Sequence, residues 1–217
     1  MNGTPPPKRR RGCLFYGCLI GTVCMLAVLL ALLLVFIKAK GLLNQYTDTK
    51  PVALPTVQMT EPQIAEIQQR YKTFSDAVRA GRPASPLSLT ADEINVLIEQ
   101  TPEFQALKNK LYVTITNNQL KGEICVPLDQ LGRPIFKGRY LNGSGTFSVS
   151  LQSGVLWASP QQLEVKGRPL PARYMDRLRH ENLAAGANND PKIASALSQL
   201  ESIQVKDGKV TIVPKAP

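Results

Sequence analysis

Two adjacent acids, Asp92 and Glu93, open the stretch LTADEINVLIEQ between Leu89 and Gln100. Neighbouring carboxylates are the residue type that acid–base chemistry uses, one donating a proton while the other accepts. Thr90 stands three residues before Glu93, however, which is the spacing of a capping box. Acids in a first helical turn satisfy free N–H groups and the helix dipole, and that is the role this spacing assigns them. His180 is the single histidine and ends the arginine-rich run RLRH. With no Ser or Cys motif to act upon, it suits the capping of terminal carbonyls better than catalysis. Cys13, Cys18 and Cys24 fall in an apolar run and only Cys125 lies beyond it. That leaves neither a disulfide within the folded part nor a metal-ligand spacing. Asn142-Gly-Ser-Gly lacks the lysine of a phosphate-binding loop and reads as a bulge or bend; Asn142-Gly-Ser is also a glycosylation sequon. No catalytic, metal or cofactor residue is assigned, and the chain is read as a non-enzyme.

The apolar run from Cys13 to Ile37 holds no charged residue. Its length at helical rise is about 37 Å, enough to cross a hydrocarbon core of about 30 Å with some tilt. It leaves through Lys38-Ala39-Lys40, a poor cleavage site, so a retained signal anchor is expected rather than a removed leader. Lys8 to Arg11 and the amino terminus outweigh Lys38 and Lys40, which places the tail in the cytoplasm and the rest outside it. The formal net charge is +10, but residues 1–40 contain six cations and no acid, leaving +4 for the remainder. The basic excess therefore belongs largely to the anchor, and no nucleic-acid partner is expected. The expected organisation is a cytoplasmic basic tail (1–12), a transmembrane helix (13–37), a juxtamembrane linker (38–60) with Pro51 and Pro55, and an extracytoplasmic domain (61–217).

Within that domain Thr60 and Gln63 form a capping box, and Ile64, Ile67, Tyr71, Phe74 and Val78 make one amphipathic stripe ended by Gly81. The second capped helix carries Ile94, Leu97 and Ile98. Residues 111–165 then alternate with period two: Leu111/Val113/Ile115, Ile124/Val126/Leu128, Phe147/Val149/Leu151 and Val155/Trp157. Alternation of this kind predicts antiparallel strands with one covered face, and Ser153-Gly154 predicts a hairpin. Pro171 and Pro191 each open a helix, and Asp207-Gly208 turns a closing hairpin from Ile203/Val205 to Val210/Ile212. The predicted class is α+β, a mainly antiparallel curved sheet with flanking helices, preceded by one transmembrane helix.

LTADEINVLIEQ, VKGRPLPARYMDRL and the alternating strands between them resemble the YpmS-like single-span membrane-anchored bacterial proteins, whose function is poorly defined. The resemblance covers roughly residues 85–180. It implies an extracytoplasmic domain with a concave apolar face that handles lipid or another amphiphile, and it carries over no catalytic residue. Two readings follow. In one, an apolar groove lined by Phe147, Val149, Leu151, Val155 and Trp157 binds the amphiphile. In the other, the domain is an envelope assembly or interaction factor held near the membrane for a protein partner, and those rows are core. Burial of the rows separates the two.

Overall fold

The computed structural model describes residues 29–30, 38, 40–41 and 43–215. The chain divides into Met1–Gln45 and Tyr46–Pro217. Of the apolar run only Leu29 and Leu30 are described, both helical, so the expected span lies outside the described residues. No helix among the described residues is long and apolar enough to cross a membrane.

The second unit is α+β. Its helices are α1 (Glu61–Arg79), α2 (Ala91–Gln100), α3 (Ala172–Arg179), α4 (Ala185–Asn189) and α5 (Pro191–Ser198). Its strands are β1 (Leu87–Thr90), β2 (Leu111–Thr116), β3 (Gln119–Pro127), β4 (Tyr140–Gln152), β5 (Val155–Val165), β6 (Arg168–Pro169), β7 (Leu200–Lys206) and β8 (Lys209–Pro214). They form two antiparallel sheets, a larger one in the order β2-β3-β4-β5-β6 and a smaller one in the order β1-β8-β7. Two-residue turns join the hairpins. Asn117-Asn118, Ser153-Gly154, Lys166-Gly167 and Asp207-Gly208 all have positive φ at both positions, the twist that suits tight hairpins.

Both capping boxes form. The Gln63 side chain accepts the Thr60 N–H at 3.0 Å, and Glu93 accepts the Thr90 N–H at 2.8 Å while Thr90 Oγ1 accepts the Glu93 N–H at 3.2 Å. The stripe of α1 packs where its spacing directs it. Ile67 joins Leu87, Leu89, Val96 and Leu97 in a core cluster flanked by Ile64, Tyr71 and Phe74. Val78 instead reaches a second cluster with Leu197 and Leu200, flanked by Leu151, Leu156, Ile203 and Ile212. The strand β1 was not predicted. It is four residues long, and its partner β8 comes more than a hundred residues later, so no local pattern announces it.

Of the two acids at the start of α2, Glu93 has structural partners and Asp92 is exposed. Arg70 donates to Glu93 Oε1 at 2.6 Å and to the Ser88 carbonyl at 2.7 Å, tying α1 to the β1–α2 junction. Burial opposes ionisation of Glu93, but the Thr90 backbone N–H, the Arg70 guanidinium and the Thr90 hydroxyl outweigh it, and its pKa is lowered. Asn95, a buried polar residue on α2, closes the outer edge of β2. Its Nδ2 donates to the Val113 carbonyl at 2.7 Å and its Oδ1 accepts the Val113 N–H at 2.8 Å. A side-chain amide thus replaces a neighbouring strand for one residue.

Two outcomes test these junctions. Asn95→Ala leaves a buried N–H and C=O unpartnered and should cost about 2–4 kcal/mol in denaturant unfolding. Asn95→Asp sets a second oxygen against the Val113 carbonyl and should not rescue it. Because the folded pKa of Glu93 is depressed, its contribution is present above the ordinary glutamate pKa of about 4.3 and lost as pH falls through the folded value. The stability gap between the wild type and Glu93→Gln should therefore close on acidification below that point, measured from urea midpoints against pH.

Candidate functional site

Strand register decides which side chains can share a surface. In the larger sheet Phe147 faces Leu120 and Pro160, Val149 faces Ala158, and Leu151 faces Leu156. Directly paired residues of an antiparallel ladder lie on one face. The remaining pairs extend the same apolar face through Val126/Leu141, Leu111/Ile124, Ile115/Leu120 and the Gly145/Leu163 pair. The opposite face carries Tyr112, Thr114, Lys121, Glu123, Ser144, Thr146, Ser148 and Ser150. It is polar.

Trp157 pairs with Ser150, and Val155 with Gln152. The expected groove lining is therefore divided: Phe147, Val149 and Leu151 lie on the apolar face, while Val155 and Trp157 lie on the polar one, each 41% exposed. One groove cannot be lined by both rows. The reason is parity. Across a two-residue turn, odd positions before it share a face with even positions after it, so Leu156, Ala158 and Pro160 are the true companions of Phe147–Leu151. The Ser153-Gly154 signal already contained that answer.

The three residues on the apolar face differ in surroundings. Leu151 borders the second core cluster with Leu156. Phe147 lies over a floor of small residues. A Cβ on Gly145 would meet the Phe147 ring at 2.8 Å and Leu163 Cδ2 at 2.5 Å, and one on Gly122 would meet the ring at 3.5 Å. The aromatic ring thus fills the space these paired glycines leave, an arrangement that also pins register. Val149 is half-buried, as are Leu120, Ile124, Val126, Leu141, Leu163 and Val165 on the same face. Residues of the first core cluster, by contrast, are only 3–5% exposed.

Asparagines also close the β5 edge. Asn188 Oδ1 accepts the Leu156 N–H at 3.0 Å, and Asn182 Oδ1 accepts the Ala158 N–H at 3.1 Å. Both amides donate to the Leu156 carbonyl at 2.8 Å, and the Leu183 N–H reaches the Ala158 carbonyl at 2.9 Å. Pro160, the next residue of that parity, has no N–H to satisfy and sits beside the bulge at Gln161, the kind of place where a strand tolerates proline.

Asn142 is not an accessible glycosylation acceptor in the fold. It is buried, its Nδ2 donates to the Lys50 carbonyl at 2.9 Å and Asp48 at 3.2 Å, and its Oδ1 accepts the Val52 N–H at 3.3 Å. It holds the segment that precedes α1 onto the sheet. Asp48 exchanges two backbone hydrogen bonds with Tyr140, at 2.8 and 2.7 Å, and pairs with Lys166 at 3.0 Å. The Lys166 hydrogen bond, ahead of the opposing effect of burial, lowers the pKa of Asp48.

Sequence reasoning missed a cleft of about 990 Å³ between α1 and α5, lined by Tyr71, Val78, Arg79, Glu103, Phe104 and Ile193 among others. Tyr71 and Phe104 meet there with ring centroids 5.7 Å apart. Burial raises the Tyr71 pKa, Glu103 adds to the rise and Arg79 opposes it. Cations and acids balance along its walls and along the adjoining recess, with Lys72, Arg79 and Lys192 matched by Asp76, Glu103 and Asp190. It therefore offers no net attraction to an ion. His180 is exposed at the end of α3, and no cluster of His, Cys, Asp and Glu able to hold a metal occurs among the described residues.

No protein-family model matches this sequence, and comparison with curated proteins and with solved structures gave no match either.

The glycine floor is directly testable. Gly145→Ala forces the Phe147 ring and Leu163 apart and should destabilise the domain by about 1–3 kcal/mol. Trp157→Ser, on the other face, should cost less than Phe147→Ala. Thermal unfolding of the three variants measures the order, and equal costs for Trp157 and Phe147 would place both rows in one core.

Proposed function

We propose that the chain is a membrane-anchored, extracytoplasmic, non-enzymatic module that holds the apolar chain of a lipid or other amphiphile along the apolar face of its larger sheet. In this reading residues 13–37 are the single transmembrane helix and the basic tail stays in the cytoplasm. The observation that carries the binding reading is the contrast in burial between the two apolar regions. The first cluster has a centre only 3–5% exposed, whereas on the sheet face Val113 and Pro160 are buried but Ile124, Val126, Leu141, Val149, Leu163 and Val165 are all only half-buried. A contiguous apolar surface left partly open is characteristic of a binding surface rather than of a finished core.

The other reading, an envelope assembly or interaction factor with a protein partner, draws support from a different observation. Val155 and Trp157 stand exposed on the polar face, where neither serves the amphiphile surface. Exposed tryptophan is a residue type enriched at the centres of protein interfaces.

A photoreactive fatty acid separates the two readings on the full-length membrane-bound protein. Crosslinks should map to the peptides carrying Val149 and Leu163, and competition by unlabelled fatty acids should strengthen with chain length, by about 0.8 kcal/mol per added CH₂. Val149→Asp should remove those crosslinks while leaving the fold intact. Crosslinks confined to residues 13–37, with no chain-length dependence elsewhere, would leave the interaction reading in its place.

A further inference from the structure

The connection between β3 and β4, residues 128–139, is an ordered loop that presents apolar side chains outward. Leu128 is buried at its start, and its N–H donates to the Arg139 carbonyl at 2.8 Å. Two single-turn helices follow, Leu128–Leu131 and Pro134–Phe136. Gly132 and Gly138 take left-handed φ values of 65° and 66°, and Asp129 Oδ1 accepts the Gly138 N–H at 2.8 Å, closing the loop across its base. At the tip Leu131 is 58% and Ile135 50% exposed. Folding water-exposed backbone into this shape brings no core burial to either side chain. Arg133 and Lys137 flank them, and neither pairs with an acid among the described residues, since the loop's own Asp129 is engaged by backbone. Exposed aliphatic residues interleaved with unpaired cations match the interfacial zone of an anionic bilayer, where the aliphatic groups lose water and the cations meet headgroups.

The loop's place in the chain points to the same partner. Its base is held by residues that follow the apolar run: Arg139 Nε donates to Thr47 Oγ1 at 2.6 Å, and Tyr140 pairs with Asp48. Thr47 is ten residues beyond Ile37. Ten residues reach at most about 35 Å when fully extended. A chain anchored through residues 13–37 keeps the base of this loop within that distance of the bilayer.

We propose that loop 128–139 docks on an anionic phospholipid surface, with Leu131 and Ile135 entering the interfacial zone and Arg133 and Lys137 meeting headgroup phosphates. This rests on the membrane-anchored reading above. It sets one end of the larger sheet, where Val126 pairs with Leu141, toward the lipid.

The test uses the full chain with Cys13, Cys18 and Cys24 replaced by serine and the buried Cys125 retained. It is reconstituted into phosphatidylcholine vesicles with or without phosphatidylglycerol. An environment-sensitive nitrobenzoxadiazole is attached at Ile135→Cys or, as a control, at Lys209→Cys. Lys209 lies beside the Asp207-Gly208 turn, which bonds Asn118 at the opposite end of β3. The Ile135 label should emit to the blue of the Lys209 label and be quenched by nitroxide-bearing lipids. Phosphatidylglycerol should increase both effects, and joint Arg133→Gln and Lys137→Gln replacement should reverse that increase. If the vesicles retain the chain through an alkaline carbonate wash yet both labels emit as in water, the docking proposal falls and the anchor stands. A blue shift without lipid quenching assigns the loop to a protein surface instead and also overturns the proposal. If the wash releases the chain, the anchored reading fails and the docking proposal fails with it.

Discussion

A sheet must do something with the backbone groups along its outer strands, and here asparagine side chains do much of it. Asn95 matches both groups of Val113 on β2, and Asn182 and Asn188 match Leu156 and Ala158 on β5. Each amide carries a donor and an acceptor at one end of a short side chain, so it can stand in for one residue of a missing strand. This blunts edges that would otherwise invite pairing with another chain. It also commits the elements bearing those asparagines to the flanks of the sheet. Since α2 is drawn to the β2 edge and α4 to the β5 edge, neither is free to lie across the sheet's middle. The Leu151/Leu156 end is closed from above by Leu197 and Val78, and Val113 and Pro160 are buried in mid-sheet. The half-buried state of Ile124, Val126, Leu141, Val149, Leu163 and Val165 is compatible with how the edges were solved.

The two apolar regions consequently differ in kind. Around α1, α2 and β1 every layer contributes a row, and Ile67, Leu87, Leu89, Val96 and Leu97 interlock. Loss of any of them would open a cavity of the kind that costs a few kcal/mol. On the larger sheet, order comes from within the sheet itself. Long strands, tight turns at Asn117-Asn118 and Ser153-Gly154, and the Phe147 ring seated on Gly145 and Gly122 hold register without a complete covering layer. A surface built this way keeps its shape while an apolar side remains accessible, which is the requirement for a preformed binding face.

Local chemistry was legible in the sequence wherever its cause was local. Thr60/Gln63 and Thr90/Glu93 announce helix starts because the capping atoms lie three residues apart, and Ser153-Gly154 and Asp207-Gly208 announce hairpins because positive φ favours those residues. The spacing Ile67-Tyr71-Phe74-Val78 fixes one buried stripe. Long-range pairings left weaker traces. LSLT becomes β1 only by meeting a strand at the far end of the chain, and Asn95 shows in the sequence merely as a polar residue inside INVLI. The candidate site failed on a rule that the sequence did contain, since a two-residue turn sends Trp157 to the face opposite Leu151. Pro160, whose side chain is fully buried, left no signal because proline argues against a strand until one sees that its missing N–H falls at an edge beside a bulge.

The sheet also has direction. At the Ser153-Gly154 end, Gly154 lies against Ser198, where an added Cβ would come within 3.3 Å of backbone, so α5 closes that end tightly. At the other end Val126 and Leu141 are half-buried and run into the loop bearing Leu131 and Ile135. The chain leading from the apolar N-terminal run joins the sheet at this second end, through Thr47, Asp48 and the Asn142 clamp. Closure at one end and attachment at the other are independent features, set by different residues, yet they orient the apolar face the same way. On the proposed reading, an acyl chain leaving the bilayer meets the unsealed end first and the packed cluster of Val78, Leu197 and Leu200 last. That cluster then sets how far along the sheet the chain can advance.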